Sequence, residues 1–340
     1  MRAGYFDVLS VELYLKELRP VRYEVPISEA LIDELFPFWA LIFGEVLPDI
    51  AREVFLGAEE SYNGGTLYLR REGERLASTC FTMQSKVVPS LAGFSDVATD
   101  PLFRGRGIAT ELCGRAVEEF RAAGGEAFFL GTVNPAAARV YHRLGWRKLA
   151  GANVMANILS GESPEAFLVD YFSGEGATVA EASPADRIPM IPLILCPHDW
   201  QVLDANTNVC STRYSTQNSC MGLYVRYERM GTGGGSWFAA RTAEGKVVGL
   251  STARRDDAGR FQIDAFSHAR YGEVWEELVE AAVGASQERG EGGCFAVVSV
   301  EDEEKQSWFE ALGFRRAGSG AEFELDGRRV ASVRMERSSA

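Results

Sequence analysis

The sequence predicts a mixed α/β protein in which one fold is built twice: two twisted, mostly antiparallel sheets, each flanked by helices. Three observations point there. At 340 residues the chain is too long for one typical domain. Strand-like alternation and helical periodicity succeed one another in a similar order in both halves. Matched pairs recur at a near-constant offset: Glu111-Leu112 with Glu277-Leu278, 166 residues on, and Leu144-Gly145-Trp146 with Leu312-Gly313-Phe314, 168 residues on. A period this long argues for a duplicated domain rather than a solenoid, whose units are much shorter.

In the first half, Arg22, Tyr23 and Val25 read as an opening strand before Pro26. Residues 27–55 carry an apolar helical period that Gly44 and Pro48 break into two helices. Residues 66–70 and 76–84 are strands joined by a Glu72-Gly73-Glu74 turn. Alternation resumes at Phe94 and Val97, and a turn follows at Asp100-Pro101. The chain then runs through Arg104-Gly105-Arg106-Gly107 straight into an amphipathic helix over 108–123. A short strand over 127–131 leads to Asn134-Pro135, an N-cap with proline at the first helical position. That helix carries Tyr141 and ends at Leu144-Gly145-Trp146; the unit closes near Leu159. Residues 1–20 look like an amphipathic segment that packs on the domain or on a second subunit, the latter making a homodimer.

Gly161 to Pro164 and Gly174 to Gly176 mark a linker around an apolar stretch at 167–172, so the expected division is 1–160, a linker over 161–176, and 177–340. In the second half, residues 177–186 read as strand, turn and helix cap, followed by the apolar 188–195. Strands at 236–241 and 246–254 flank Glu244-Gly245; a strand at 261–266, a helix at 274–283, a strand at 294–300 and a helix at 306–312 complete the copy. The charged Arg334-Met335-Glu336-Arg337 reads as a solvated end.

Composition narrows the function classes. A net charge of −13 argues against nucleic-acid backbones and anionic membranes, which want basic patches. It suits a cationic amine, although an acidic surface also serves solubility alone. Arg2, Asp7, Glu12 and Lys16 interrupt any N-terminal apolar run, and no stretch reaches transmembrane length, so a cytoplasmic chain is expected. Six scattered cysteines then read as free thiols. Cys196, His198, Cys210 and Cys220 fit none of the usual zinc spacings, and no metal is expected.

The glycine loop is where chemistry concentrates. Two glycines at a strand-to-helix junction leave backbone N–H groups uncovered, and the helix start adds orphan donors and a positive dipole end. Arg104 and Arg106 bring charge that suits a phosphate. On spacing alone the stretch reads equally well as a glycine turn with two solvated arginines. The order of features then resembles the GNAT N-acetyltransferase superfamily. Arg104, Gly107 and Ala109 meet its Arg-x-x-Gly-x-Ala pattern, and Asn134, Tyr141 and Gly145-Trp146 match its second signature.

The resemblance implies an acetyl-CoA-dependent N-acetyltransferase that moves an acetyl group to a small-molecule primary amine bound between the halves. It assigns Val97, Ala98 and Thr99 to main-chain contacts with the pantetheine, with the Val97 N–H as oxyanion donor. Arg104, Gly105, Arg106, Gly107, Ile108, Ala109 and Thr110 would supply the pyrophosphate loop. Asn134 would bind the pantetheine region or orient its helix, and Tyr141 would reprotonate the leaving thiolate. Alternatives in the same frame are a non-catalytic acyl-CoA sensor and a transferase using another acyl donor. In the second copy Gly107 becomes Glu273, Ala109 becomes Trp275, Asn134 becomes Asp302 and Tyr141 becomes Phe309, so that copy is expected to keep the fold without the cofactor. The general base stays open. Alternation from Val97 turns Gly93 and Ser95 inward and Asp96 away unless a bulge re-aims it, leaving Asp96, Glu45 or water.

Overall fold

The computed structural model describes residues 20–44, 49–289 and 293–338. The segment expected over 1–20 (Pro20 apart) and the candidate base Glu45 lie outside the described residues.

The first half is β1 (Val21–Glu24), α1 (Glu29–Phe43), α2 (Arg52–Phe55), β2 (Asn63–Glu72), β3 (Arg75–Ser85), β4 (Leu91–Thr99), α3 (Ile108–Ala122), β5 (Ala127–Gly131), α4 (Pro135–Arg143), β6 (Arg147–Lys148) and β7 (Val154–Ile158). Its seven strands lie in the order β1-β2-β3-β4-β5-β7-β6. Only β4 and β5 run parallel, with α3 as the crossover between them; β1 and β2, also joined through helices, pair antiparallel. α3 buries Ile108, Leu112, Cys113, Ala116, Val117 and Phe120 on one stripe, the spacing that made it legible as amphipathic. Ser28 caps α1 through the Leu31 N–H, and α1 lays Leu35, Phe38 and Trp39 on the opposite face of the sheet.

After α5 (Pro164–Tyr171), the second half repeats the plan. It consists of β8 (Thr178–Glu181), α6 (Met190–Leu195), β9 (Val202–Asp204), β10 (Val209–Cys210), α7 (Met221–Thr232), β11 (Ser236–Arg241), β12 (Val247–Arg255), β13 (Phe261–Ser267), α8 (Trp275–Arg289), β14 (Cys294–Ser299), α9 (Glu303–Ala311), β15 (Arg315–Ser319), β16 (Phe323–Leu325), β17 (Arg328–Val330) and β18 (Ser332–Arg337). The sheet order β8-β11-β12-β13-β14-β18-β15 matches the first sheet position for position, again with one parallel pair, β13 and β14. Burial confirms the 166-residue register: Leu278, Val279, Ala282 and Val283 occupy the places of Leu112, Cys113, Ala116 and Val117.

One reading needs correction, and two stretches gain elements. Arg334 to Arg337 is no solvated end: β18 is an inner strand between β14 and β15, with Met335 fully buried, Arg334 and Glu336 bonded on the opposite face and Arg337 donating to Glu280. The apolar stretch at 167–172 is helical, and Phe167, Leu168 and Tyr171 enter the core. The region before 236, given no elements beyond 195, holds the β9–β10 hairpin and α7, whose Leu223, Tyr224, Tyr227 and Met230 are buried.

The halves share a core that runs from Ile27 in the first to Met335 in the second. At their junction the Arg187 guanidinium pairs with Glu59, both buried, and lies 3.9 Å over the Tyr224 ring. Asn63 Nδ2 donates to the Pro184 carbonyl at 2.9 Å, and Lys246 Nζ donates to the Tyr171 carbonyl at 3.0 Å. β4 meets α7 so closely that a Cβ on Gly93 would stand 2.0 Å from the Met221 sulfur.

Candidate active site

β4 and β5 pair only from Leu91↔Ala127 to Phe94↔Leu130; beyond Phe94 they part. On its other edge β4 pairs with β3 through Phe81↔Ser95 and then Thr79↔Ala98, so Asp96 and Val97 together oppose the single residue Cys80. This is a bulge, and Asp96 carries it with φ +50°, a left-handed angle that aspartate tolerates better than most residues. Thr79 Oγ1 donates to the Asp96 carbonyl at 2.7 Å, and Trp39 Nε1 donates to Thr79 Oγ1 at 3.0 Å, tying the bulge to α1. The alternation that turned Asp96 away is therefore broken where it matters.

The re-aimed Asp96 lines a cavity of about 310 Å³ at the mouth of the gap between the strands. α1 supplies Phe36, Trp39 and Phe43, and the second half closes one side with Ser219, Cys220 and Met221. Desolvation, reinforced by the nearby Asp49, pushes the Asp96 carboxyl up to about 7 even though Ser95 Oγ donates to it at 2.8 Å. Asp49 is raised by burial as well and accepts from Ser219 Oγ at 3.1 Å. No signal in the sequence marked Asp49; only the fold brings it beside Asp96.

The glycine loop follows β4 after one turn at Pro101–Phe103. Gly105 and Gly107 have φ +77° and +81°, and a Cβ at either would meet nothing within 4 Å, so the loop is open above its backbone. Among the described residues the amides of residues 105–110 have no acceptor within the chain, and α3 begins without a side-chain cap. Arg104 and Arg106 are exposed and folded back onto the Thr99 and Leu102 carbonyls, with Arg106 also 5.1 Å from the Phe103 ring centroid. Six uncommitted N–H groups, a helix start and two guanidinium groups make an anion cradle. It fits a pyrophosphate in charge and in open space.

Tyr141 is buried in the α3–α4 face with Phe94, Phe128 and Trp146. Burial holds its hydroxyl well above the usual phenol range, with Cys113 and Cys80 as its titratable neighbours. Cys80 also feels Asp96, so Tyr141 and Asp96 flank one thiol pair. Asn134 is spent on its own helix: Oδ1 accepts from Ala136 N at 2.9 Å, the orienting role of the two expected for it. Val97, Ala98 and Thr99 run along the parted edge, with Ala98 and Thr99 still paired to β3.

Residues 29–146, from the start of α1 to Trp146, match the model of the acetyltransferase (GNAT) family. They form a GNAT domain. No curated protein matches the chain. Among solved structures, a phosphinothricin acetyltransferase from Sinorhizobium meliloti in complex with AcCoA is 20% identical, with a TM-score of 0.38 over 48% of this chain and 88% of its own. The acetyltransferase yncA from Salmonella typhimurium, with acetyl-CoA, is 14% identical, with a TM-score of 0.36 over 48% and 94%. A ribosomal-protein-alanine N-acetyltransferase from Brucella melitensis is 16% identical, with a TM-score of 0.38 over 48% and 99%.

The second half departs from the GNAT domain at the same places. The Trp275 indole is buried, its Nε1 donating to the Ala265 carbonyl of β13 at 3.0 Å, and it packs with Trp200, Trp308 and Phe309. Asp302, at the place of Asn134, accepts from the Gln201 and Val202 amides instead of capping α9. Cys196 and His198 form a buried pair, Sγ to Nε2 at 3.2 Å, with the thiol pushed up to about 12 and the imidazole down to about 4; both are neutral at ordinary pH. No described helix is long and apolar enough to cross a membrane.

Proposed function

We propose that the chain is an acetyl-CoA-dependent N-acetyltransferase whose residues 1–160 work on a primary amine, with 161–176 as linker and 177–340 as a copy that has given up the cofactor. The observation that carries this is the bulge at Asp96. It sets a carboxyl poised near neutrality at the mouth of a strand gap, on the strand that leads into an open anion cradle.

Acetyl-CoA would be held by the amides and side chains of Arg104 through Thr110 and along Val97 to Thr99, and supplies a thioester carbonyl open to amine attack with a thiolate to leave. Asp96, in its ionised form, takes a proton from the substrate ammonium and leaves the nitrogen lone pair free. The Val97 amide, at the bulge, donates toward the charge that develops on the carbonyl oxygen. Tyr141 keeps its proton across the working pH range and delivers it at the thiolate. The cavity walls from α1 and from residues 219–221 hold the amine and keep water from competing.

The second half supports this reading by its aromatic filling: a buried indole, Trp275, and Glu273 stand at the positions that correspond to Ala109 and Gly107. The test is calorimetry with acetyl-CoA, followed by free-thiol release with an amine panel. One acetyl-CoA per chain and amine-dependent thiol release are expected; two equivalents, or none, would overturn the assignment of halves.

A further inference from the structure

Resting on the acetyltransferase reading, we infer that the acceptor is a small lipophilic amine, an ammonium on a flat apolar body with no acidic group. The size of the cavity, about 310 Å³, lies at the low end for small-molecule sites, roughly 300–1,000 Å³. Its apolar wall is built of ring faces and a thioether: Phe36, Trp39 and Phe43 on α1 and Met221 on α7. Phe36 and Trp39 stand 5.6 Å apart at 54°, and the Trp39 N–H is already committed to Thr79, so that indole offers its face rather than a donor. Ring faces welcome flat apolar groups and cations alike.

The polar groups of the cavity decide the charge of the guest. Among the described residues they are two carboxylates, Asp49 and Asp96, and two hydroxyls, Ser95 and Ser219. Each hydroxyl spends its proton on the neighbouring carboxylate. Among the described residues no lysine, arginine or histidine lines the cavity. Arg187, Arg226 and Arg229 temper the charge of Asp49 without lining the cavity, and Arg187 is engaged with Glu59. A substrate carboxylate or phosphate would find acceptors facing acceptors and no donor side chain left to receive it. An ammonium would neutralise the pair of carboxylates. Asp49 and Ser219 come from opposite halves, so the second copy completes the acceptor site that the first cannot build alone.

The test uses the full chain and matched ligands: 2-phenylethylamine, phenylalanine (the same body and ammonium plus one carboxylate) and propylamine (the ammonium without the ring). Tryptophan fluorescence titration without acetyl-CoA reads binding, and thiol release with acetyl-CoA reads turnover. Phenylethylamine is expected to bind at least tenfold tighter than either of the others and to be acetylated with at least tenfold higher kcat/KM. Asp49→Asn, which keeps an acceptor for Ser219, should weaken phenylethylamine at least tenfold. Phe43→Ala at the partly exposed rim gives an independent loss of several-fold should Asp49→Asn fold poorly. Equal or better binding of phenylalanine, or unchanged affinity in both variants, would overturn the inference. Failure of the transferase reading looks different: phenylethylamine binds as expected, yet acetyl-CoA gives no heat and no amine releases thiol.

Discussion

Thr79 Oγ1 reaches across from β3 and donates to the carbonyl of Asp96 at 2.7 Å, holding the one left-handed residue of β4 in place. Trp39 in turn donates to the same hydroxyl. The geometry of the carboxyl thus depends on a threonine that does not line the cavity. Thr79→Val keeps the shape and removes both bonds, leaving a buried carbonyl and a buried indole N–H without partners, at about 1–3 kcal/mol each. The expected outcome is a drop of roughly tenfold in kcat, together with a displaced pH midpoint, measured by pH–rate profiles. Thr79→Ser, which restores the donor, should recover most of the rate.

Asp96→Asn removes the acid–base group itself. A positioned general base is worth about 10²–10⁴ in rate, and kcat/KM should fall by that order. In the parent, activity should rise with pH through about 7 as the carboxyl ionises. The stability effect has the opposite sign. The folded pKa lies above the unfolded one, so between about pH 4 and 7 the native state holds the extra proton and stability falls as pH rises. Asn stays neutral, so urea denaturation should show the variant gaining on the parent most clearly at pH 8.

At the glycine loop, Gly107→Ala and Gly107→Glu separate strain from charge. Both place a side chain at φ +81°, at a cost of about 1–2 kcal/mol, and neither meets a clash. Only the glutamate puts a carboxylate over the anion cradle. Calorimetry should show acetyl-CoA weakened modestly by alanine and undetectable with glutamate.

Tyr141→Phe removes a hydroxyl from a buried ring that otherwise keeps its packing against Trp146, 6.0 Å between centroids. Stopped assays with acetyl-CoA and an accepted amine should show kcat reduced about 10- to 100-fold. The affinity for acetyl-CoA should stay within about twofold in calorimetry.

The Arg187–Glu59 pair ties the halves together from within. Arg187→Met strands a buried carboxylate and should cost about 3–5 kcal/mol in chemical denaturation. Pairing it with Glu59→Leu removes the stranded charge, and the double variant should recover much of the loss.

Much of this was legible from residues alone. The loop at 104–110, the Asn134-Pro135 cap and the paired offsets are local features: their signals sit in a few adjacent residues, and they appear where the sequence put them. Asp96 was harder. Simple alternation assigns it to the wrong face, and the hint was only that aspartate tolerates a left-handed angle, which does not say that a bulge forms. Asp49 and residues 219–221 were out of reach, because their role arises from contacts across about 170 positions of chain. α7 was within reach: Tyr224, Tyr227 and Met230 fall at helical spacing, and Ser219 ahead of them accepts from the Gly222 N–H at 2.9 Å as a cap does. β18 was misjudged because its charged residues find partners that only the fold supplies: Arg334 lies over the Phe295 ring, Glu336 accepts from Arg260 and Arg337 donates to Glu280.

Gly93 carries only hydrogen where Met221 of the other half lays its sulfur. Neither position can drift by itself: a methyl at 93 demands a shorter residue at 221, and a bulkier one at 221 has nowhere to go. Ancestral recombination that replaced one repeat with a foreign version would leave mismatched surfaces along this seam. The two halves therefore have to change in step along this seam.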